Sequence, residues 1–355
     1  MIRVAIAGIG NCAAMLVQGI EYYKSRSDYE GIITPYIGNY RIDDIQIVAA
    51  FDVSKKKVGK KLYDAILEPP NLVKKFVPLK KSNVTVSLGP ILDGVAKHMV
   101  NIIEPIETGT LVEVTNVLKK SNAEILINLL PVGSQKATEA YATAALTAHC
   151  AFINAIPVFV TSNKNNNYED KFINAGLPLV GDDMKGQLGA TTLHRTLAAL
   201  CRDRGITIKD SYQLNIGGNT DFLNMLDEGR LESKRISKTE AVKSVISEKQ
   251  NLKNEFLRIG PSDYVEFLGN KKIAYIHING KGFASQPVSI EVKLEVEDKM
   301  NSSAVLVDVI RATKIALDRG ESGPIDWISA FYFKHPHKQA KDEVEAFQWF
   351  NEHIK

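Results

Sequence analysis

Apolar positions along the chain follow two periods. The β-branched run Ile2 to Ala7 (IRVAIA) gives way at once to Gly8-Ile9-Gly10-Asn11-Cys12-Ala13 and then to AAMLVQGIEYY, whose apolar residues recur at helical spacing. That order predicts strand, glycine turn and helix. Further apolar runs, IQIVAAFD, AEILINLLP, AFINAIP and the short LPLVG, alternate with helix-compatible stretches at Lys55 to Leu67, Leu111 to Lys120, Gln135 to Ala148 and Leu188 to Arg204. Strands alternating with helices predict an α/β fold with a doubly wound parallel sheet. From Ile206 the period becomes two. DSYQLNI, YVEFLG and KKIAYIHIN read as strands, and in VSIEVKLEVE the residues Val288, Ile290, Val292, Leu294 and Val296 face one way with polar residues between them. An antiparallel sheet with one wet face is expected. A helix over Ser303 to Leu317 restores the first pattern, and Ile325 to His335 and a polar C-terminal helix follow. The expected division is one unit over residues 1–196 completed by 301–355, and a central α+β unit over 197–300 that is a second domain or pairs with another subunit.

Composition narrows the function classes. With 355 residues, 45% of them hydrophobic, the chain can bury a sizeable core. Lys and Arg number 44 against 41 Asp and Glu, a net charge of +3 that leaves no nucleic-acid footprint. No run approaches the ~18 apolar residues of a membrane span. Cys12, Cys150 and Cys201 lack metal-ligand spacing and fit a reducing cytoplasm.

The first turn fits G-x-G-x-x-G/A. Gly8 permits the tight turn, Gly10 lets backbone approach a pyrophosphate, and the small Ala13 allows close helix–strand packing. Asp52 ends the second apolar run, where a carboxylate binds the adenosine ribose hydroxyls and repels a 2′-phosphate. This predicts a Rossmann-type unit that prefers NAD to NADP, although Lys55, Lys56 and Lys57 follow closely. The gap from the glycines is long, so Lys24 to Asp44 reads as an inserted loop. Asn128, Gly133 and Ser162 follow strand ends on the expected cofactor side, and each is also an ordinary turn or capping residue. The adjacent carboxylates Asp182 and Asp183 are costly to hold unless hydrogen-bonded.

The stretch Leu214 to Lys238, LNIGGNTDFLNMLDEGRLESKRISK, is too polar and glycine-rich for a core. Ser237-Lys238-Thr239-Glu240 has capping-box spacing before AVKSVISEK, so Ser237 is expected to cap a helix with Lys238 in its first turn and Lys234 and Arg235 crowding the same end. Cations and free N–H groups there would seat a phosphate. Asp308, with Arg311 one turn on, is either a surface pair or a carboxylate within an apolar face.

With GIGNCAA, FDVSKKKVG, LLPVGS, GDDMKGQLGATTLHR, LNIGGNTDFLNM, RLESKRISKTEAV, GPSDYV and NSSAVLVDVIRATKIALDRG in order, the chain resembles the myo-inositol-1-phosphate synthases of the shorter archaeal and bacterial type. The resemblance implies a homotetrameric NAD-dependent isomerase acting on glucose 6-phosphate: oxidation at C5, enolisation, intramolecular aldol closure of C6 on C1, and reduction again. It places catalytic residues at Lys234, Lys238, Lys272, Lys334, Asn219, Asp221 and Asp308. The cofactor side falls on Gly8, Gly10, Asn11, Cys12, Ala13, Asp52, Asn128, Pro131, Gly133, Ser162 and Asp183. Fixed cations suit a reaction that repeatedly puts negative charge on oxygen. Whether a divalent cation or ammonium assists, and which lysine shuttles protons, stays open. Two positions depart from the family's pattern: EDKMNSSAVLV replaces a Ser-Pro-Asn pattern, and Asn128 stands where an aromatic residue is common. The competing expectations are an NAD-dependent sugar-phosphate dehydrogenase, which would release NADH, and a non-catalytic NAD sensor.

Overall fold

The computed structural model describes residues 1–24, 26, 28–79, 82–106, 109–163, 167–230, 232–246 and 252–354. The first half alternates as its apolar runs require: β1 (Ile2–Ala7), α1 (Asn11–Lys24), β2 (Ile45–Asp52), α2 (Leu62–Ala65), β3 (Val86–Leu88), α3 (Val100–Ile103), α4 (Leu111–Ser121), β4 (Ile125–Asn128), α5 (Gln135–Ala148), β5 (Ala151–Asn154), α6 (Tyr168–Ala175) and β6 (Pro178–Val180). Then come α7 (Ala190–Asp203), β7 (Thr207–Gly217), α8 (Thr220–Asn224), α9 (Glu232–Lys243), β8 (Leu257–Tyr264), β9 (Lys271–Lys281) and β10 (Pro287–Glu297). The chain closes with α10 (Asp298–Asp318), β11 (Gly323–Pro324), α11 (Asp326–Tyr332) and α12 (Glu343–His353).

The first sheet is parallel throughout, in the order β11-β6-β5-β4-β1-β2-β3. Strand order reverses between β1 and β4, so a crevice opens beyond their carboxyl ends. Alternate residues of β1 serve opposite layers. Val4 and Ile6 pack with Leu16 and Val17 of α1 and with Leu306, Val309 and Ile310 of α10. Ala5 and Ala7 pack with Val114 and Leu118 of α4 and Ala142 and Ala145 of α5. The helix α10 thus returns from the second sheet to cover the first.

The second sheet has the order β10-β9-β7-β8. Ile208, Ile259, Ile276 and Ile278 pack against Ala198 of α7 and Val242 of α9, with Leu193 and Leu197 beside them. The alternating strand β10 lies at the edge, its apolar row half-buried.

Five local expectations change. The sheet is mixed, because β7 and β8 run parallel. The strand expected at YVEFLG lies earlier, at Leu257–Tyr264, and Glu266–Leu268 is a single tight helical turn. Only Leu62–Ala65 of the stretch from Lys55 is helical. The helix expected from Ser303 begins at Asp298, because Glu297 caps it by accepting from the Met300 amide. Ser237 is not a cap. The helix α9 begins at Glu232 and runs through it, since Lys and Arg are good helix formers and the Ser237 hydroxyl is spent on Asp183. The last residues of AVKSVISEK lie outside the described residues.

Candidate active site

The crevice widens into a cleft between the two sheets, and its two ends are built differently. At the β1 end the material is backbone. Gly8 has φ +92°, and a side chain there would meet the Leu129 carbonyl oxygen at 2.7 Å, so only glycine lets this turn pass under the loop after β4. Gly10 faces open space, and Asn11 and Cys12 begin α1. This is the N-terminal turn at which a pyrophosphate is ordinarily held. The Asp52 carboxylate accepts from the Ile9 amide at 2.9 Å and from the Val53 and Ser54 amides at 2.8 and 2.9 Å. It therefore fixes the turn while its edge stays in the cleft wall. The following lysines leave no loose cation at this point. Lys55 and Lys56 both pair with Glu104, and buried Lys57 donates to the Ile9 carbonyl and to Asn71. These residues fit a dinucleotide without a 2′-phosphate.

At the other end the material is charged side chains from six separate segments. Lys234 of α9 donates to Asp221 Oδ2 at 2.9 Å. Asp298 lies 2.9 Å from Lys299 and 3.6 Å from Lys272 of β9, and accepts from Asn219 at 3.0 Å. Asp183 accepts from Lys334 at 2.7 Å and from Ser237 at 2.6 Å. Lys238 is 3% exposed and has no hydrogen-bond or ion-pair partner among the described residues. Burial, reinforced by Lys272, Lys234 and Lys334, pushes its pKa far below the ordinary lysine value. Burial alone would raise the carboxylate pKa values. Lys334 nevertheless holds Asp183 below its ordinary value, and Lys234 and Lys299 bring Asp221 down to about 2. Five lysine amines face three carboxylates.

The glycines of LNIGGN have a packing reason. A side chain on Gly218 would meet the Val265 carbonyl oxygen at 2.5 Å, so this chain crossing needs glycine. It delivers Asn219 to cap α8, accepting from the Asp221 and Phe222 amides while donating to Asp298. From behind the wall, Asn219 orients the Asp298 carboxylate and caps the turn that carries Asp221.

Several expected residues stand outside the cleft. Ala13 faces the core from the first turn of α1. Asn128 donates to Thr138 and Asn154 and holds the Leu130 amide. Gly133 faces Arg230, which donates to the Val132 carbonyl; Pro131, two residues earlier, does line the cleft. Ser162 donates to Asp182, whose buried carboxylate also takes the Val160, Thr161 and Ser162 amides. The neighbouring carboxylates are both hydrogen-bonded, one as a loop anchor and one in the cleft. Asp308 is neither on the surface nor in the cleft. It is buried against Arg311 Nη2 at 2.5 Å and Tyr332 at 3.1 Å.

Sequence reasoning missed Asp298 and Lys299, and also Lys185, whose ammonium is held by Glu343 at 3.0 Å and whose pKa burial lowers to about 8. The available signal for Asp298 was its place after the last alternating position of β10, where an acidic residue opens a helix. Thr191 and Thr192 in the first turn of α7 also line the cleft, and Thr192 Oγ1 is buried without a partner. Among the described residues, no group of three or more His, Cys, Asp or Glu could hold a metal ion.

Residues 189–299 match the family model for myo-inositol-1-phosphate synthase. The chain is 46% identical over 354 residues to an inositol-3-phosphate synthase of Mycobacterium tuberculosis, covering 98% of this chain and 94% of the relative. It is 45% identical over 349 residues to an inositol-3-phosphate synthase of Corynebacterium glutamicum, covering 97% and 95%. Among solved structures, a myo-inositol-1-phosphate synthase-related protein of Thermotoga maritima superposes with a TM-score of 0.81 at 26% identity, covering 100% of this chain and 98% of that one.

Proposed function

This chain belongs to the myo-inositol-1-phosphate synthase family, and from that premise we propose how its cleft turns glucose 6-phosphate into inositol 3-phosphate. The reaction is an isomerisation, and the observation that carries the mechanism is the lone buried amine of Lys238. NAD, when bound, would supply reversible hydride exchange at C5, with no net NADH released. Residues 1–196 and 301–355 would hold it, with Gly10, Asn11 and Cys12 toward the pyrophosphate and Asp52 toward the ribose. Residues 197–300 supply most of the reacting groups.

Lys238, whose depressed pKa favours the free amine, takes the C5 hydroxyl proton as C5 is oxidised and returns it to the C5 oxygen when C5 is reduced. Lys234, Lys272 and Lys334, each beside a carboxylate, face the oxygens on which negative charge develops, where preorganised positive groups act most strongly. Asp183, Asp221 and Asp298 keep those cations in place. The substrate phosphate sits at the first turn of α7, by Thr191 and Thr192, and not at the interior of α9, because only a helix start leaves N–H groups free. The outer face of the second sheet, with Tyr212 39% and Tyr275 41% exposed, supports a homotetramer contact.

Incubation with glucose 6-phosphate and NAD, following inositol phosphate and NADH together, tests this. Inositol phosphate without net NADH is expected. NADH in proportion to product would establish a dehydrogenase instead.

A further inference from the structure

Two carboxylates in the cleft wall, Asp221 and Asp298, lie close enough to share one cation. Asp221 Oδ2 is 4.0 Å and Asp298 Oδ2 2.9 Å from the same atom, Lys299 Nζ. Each carboxylate already has further partners. Lys234 takes Asp221, while Lys272 and Asn219 take Asp298. Lys299 is itself an unfavourable place for an ammonium ion, being only 7% exposed and in the first turn of the 21-residue helix α10, where the dipole repels positive charge. Burial opposes its charge, yet Asp298 and then Asp221 hold its pKa above the ordinary lysine value. An ammonium kept charged against both burial and the dipole, at the meeting point of two site carboxylates, is a built element of the site.

We infer that Lys299 Nζ stands where a loose cation would bridge Asp221 and Asp298, so that this enzyme works without added monovalent or divalent cation. The donor set does not fit a free ion, because the carboxylates that would bind it already hold tethered ammonium groups. In the cleft, Lys299 is a positioning residue: it fixes Asp221 and Asp298, and through them Lys234 and Lys272. The inference rests on the proposed isomerase reading only for its activity arm.

The test uses the full-length parent, Lys299→Ser, which opens space for an ion, and Lys299→Met, which fills that space without charge. Each is stripped with chelator, exchanged into choline chloride, and titrated with ammonium, potassium or magnesium chloride at constant ionic strength. Melting temperature and inositol phosphate formation are read together. Parent turnover should vary by less than about 2-fold among the salts, whereas Lys299→Ser should lose ~10-fold or more in choline and recover most of it in one added cation. The same cation should raise the melting temperature of Lys299→Ser by mass action and leave the parent and Lys299→Met unmoved. A parent that stops in choline overturns the inference. So does a Lys299→Ser protein that responds to cations no more than the parent, or a Lys299→Met protein with parental turnover in choline. If Lys299→Ser does not fold, the parent and Lys299→Met arms still decide. If the parent forms no inositol phosphate in any salt, the assigned reaction fails while the melting comparison still judges Lys299.

Discussion

Helix α10 carries two carboxylate–cation pairs ten residues apart, and they behave in opposite ways. Asp298, in the first turn, has two ammonium groups, an amide donor and the positive end of the helix around it; although burial pushes its pKa up, Lys299 and Lys272 hold it far below the usual carboxylate range. Asp308, three turns on, has one guanidinium, and Arg311 divides its donors between Asp308 and the Pro35 and Val307 carbonyls. There burial prevails, and the Asp308 pKa rises to about 6 despite Arg311 and Tyr332. The first pair opens on the cleft and the second is sealed in the core. What separates a working carboxylate from a packed one is the number of cations it holds and the access left to it, not its distance from Arg or Lys in sequence.

The sharpest way to break this comparison is to remove the lysine that pairs with no carboxylate at all. Lys238→Met should lower turnover by ~10³-fold, the scale for losing a proton-transfer group. Its melting temperature should equal or exceed the parent's, because a buried polar amine without a partner is replaced by an apolar side chain. The pH dependence has a definite sign. A lysine whose folded pKa is depressed below 10.5 contributes stability above that value and loses it as pH falls through the folded pKa. The parent should therefore gain stability relative to the variant as pH rises toward 10.5. A variant that melts much lower and keeps its turnover would make Lys238 structural.

Asp298→Asn comes next. It preserves shape but releases Lys272 and Lys299, and turnover should fall by ~10²-fold through misplaced positive charge. Steady-state assays at saturating substrate check this, and parental kcat would remove Asp298 from the machinery. At the backbone end the effect is smaller. Asp52→Ala frees the Ile9 amide and the ribose hydroxyl partner together, so NAD affinity should fall by ~10-fold and discrimination against NADP should relax. Calorimetric titration of both dinucleotides reads this without catalysis, and unchanged NAD affinity would count against Asp52.

The same contrast explains how much the sequence disclosed. The dinucleotide end is local: one strand, two glycines and one aspartate specify it, and the first sheet follows from apolar runs that alternate with helical ones. The lysine cluster converges only in three dimensions, and the resemblance to a family, not spacing, put Lys272 and Lys334 beside α9. Asp298 and Asp308 show where pattern reading fails. Both precede a cation on the same helix, and only the tertiary path of β10 into α10 decides which one faces the cleft. Ser237 and Glu240 fail for a related reason. Their capping-box spacing is real, but Asp183 and His335 use those side chains instead.

Asp308→Asn should have the smallest effect on turnover, and its signature lies elsewhere. A residue with no contact to reacting groups removes no interaction with the transition state, so kcat should stay within about 3-fold of the parent. Its effect on stability follows from its raised pKa. A carboxyl that titrates near 6 when folded and near 3.8 when unfolded binds more protons in the fold between those values. Its contribution is full below 3.8 and is lost as pH rises through 6. The asparagine variant keeps a neutral group at every pH, so the parent's stability relative to it should be greatest near pH 4 and decline toward pH 7. Chemical denaturation of both proteins across that range measures the difference directly. A flat difference would mean that Arg311 keeps Asp308 ionised throughout, and a turnover loss as large as that of Asp298→Asn would show that the two ends of α10 act together after all.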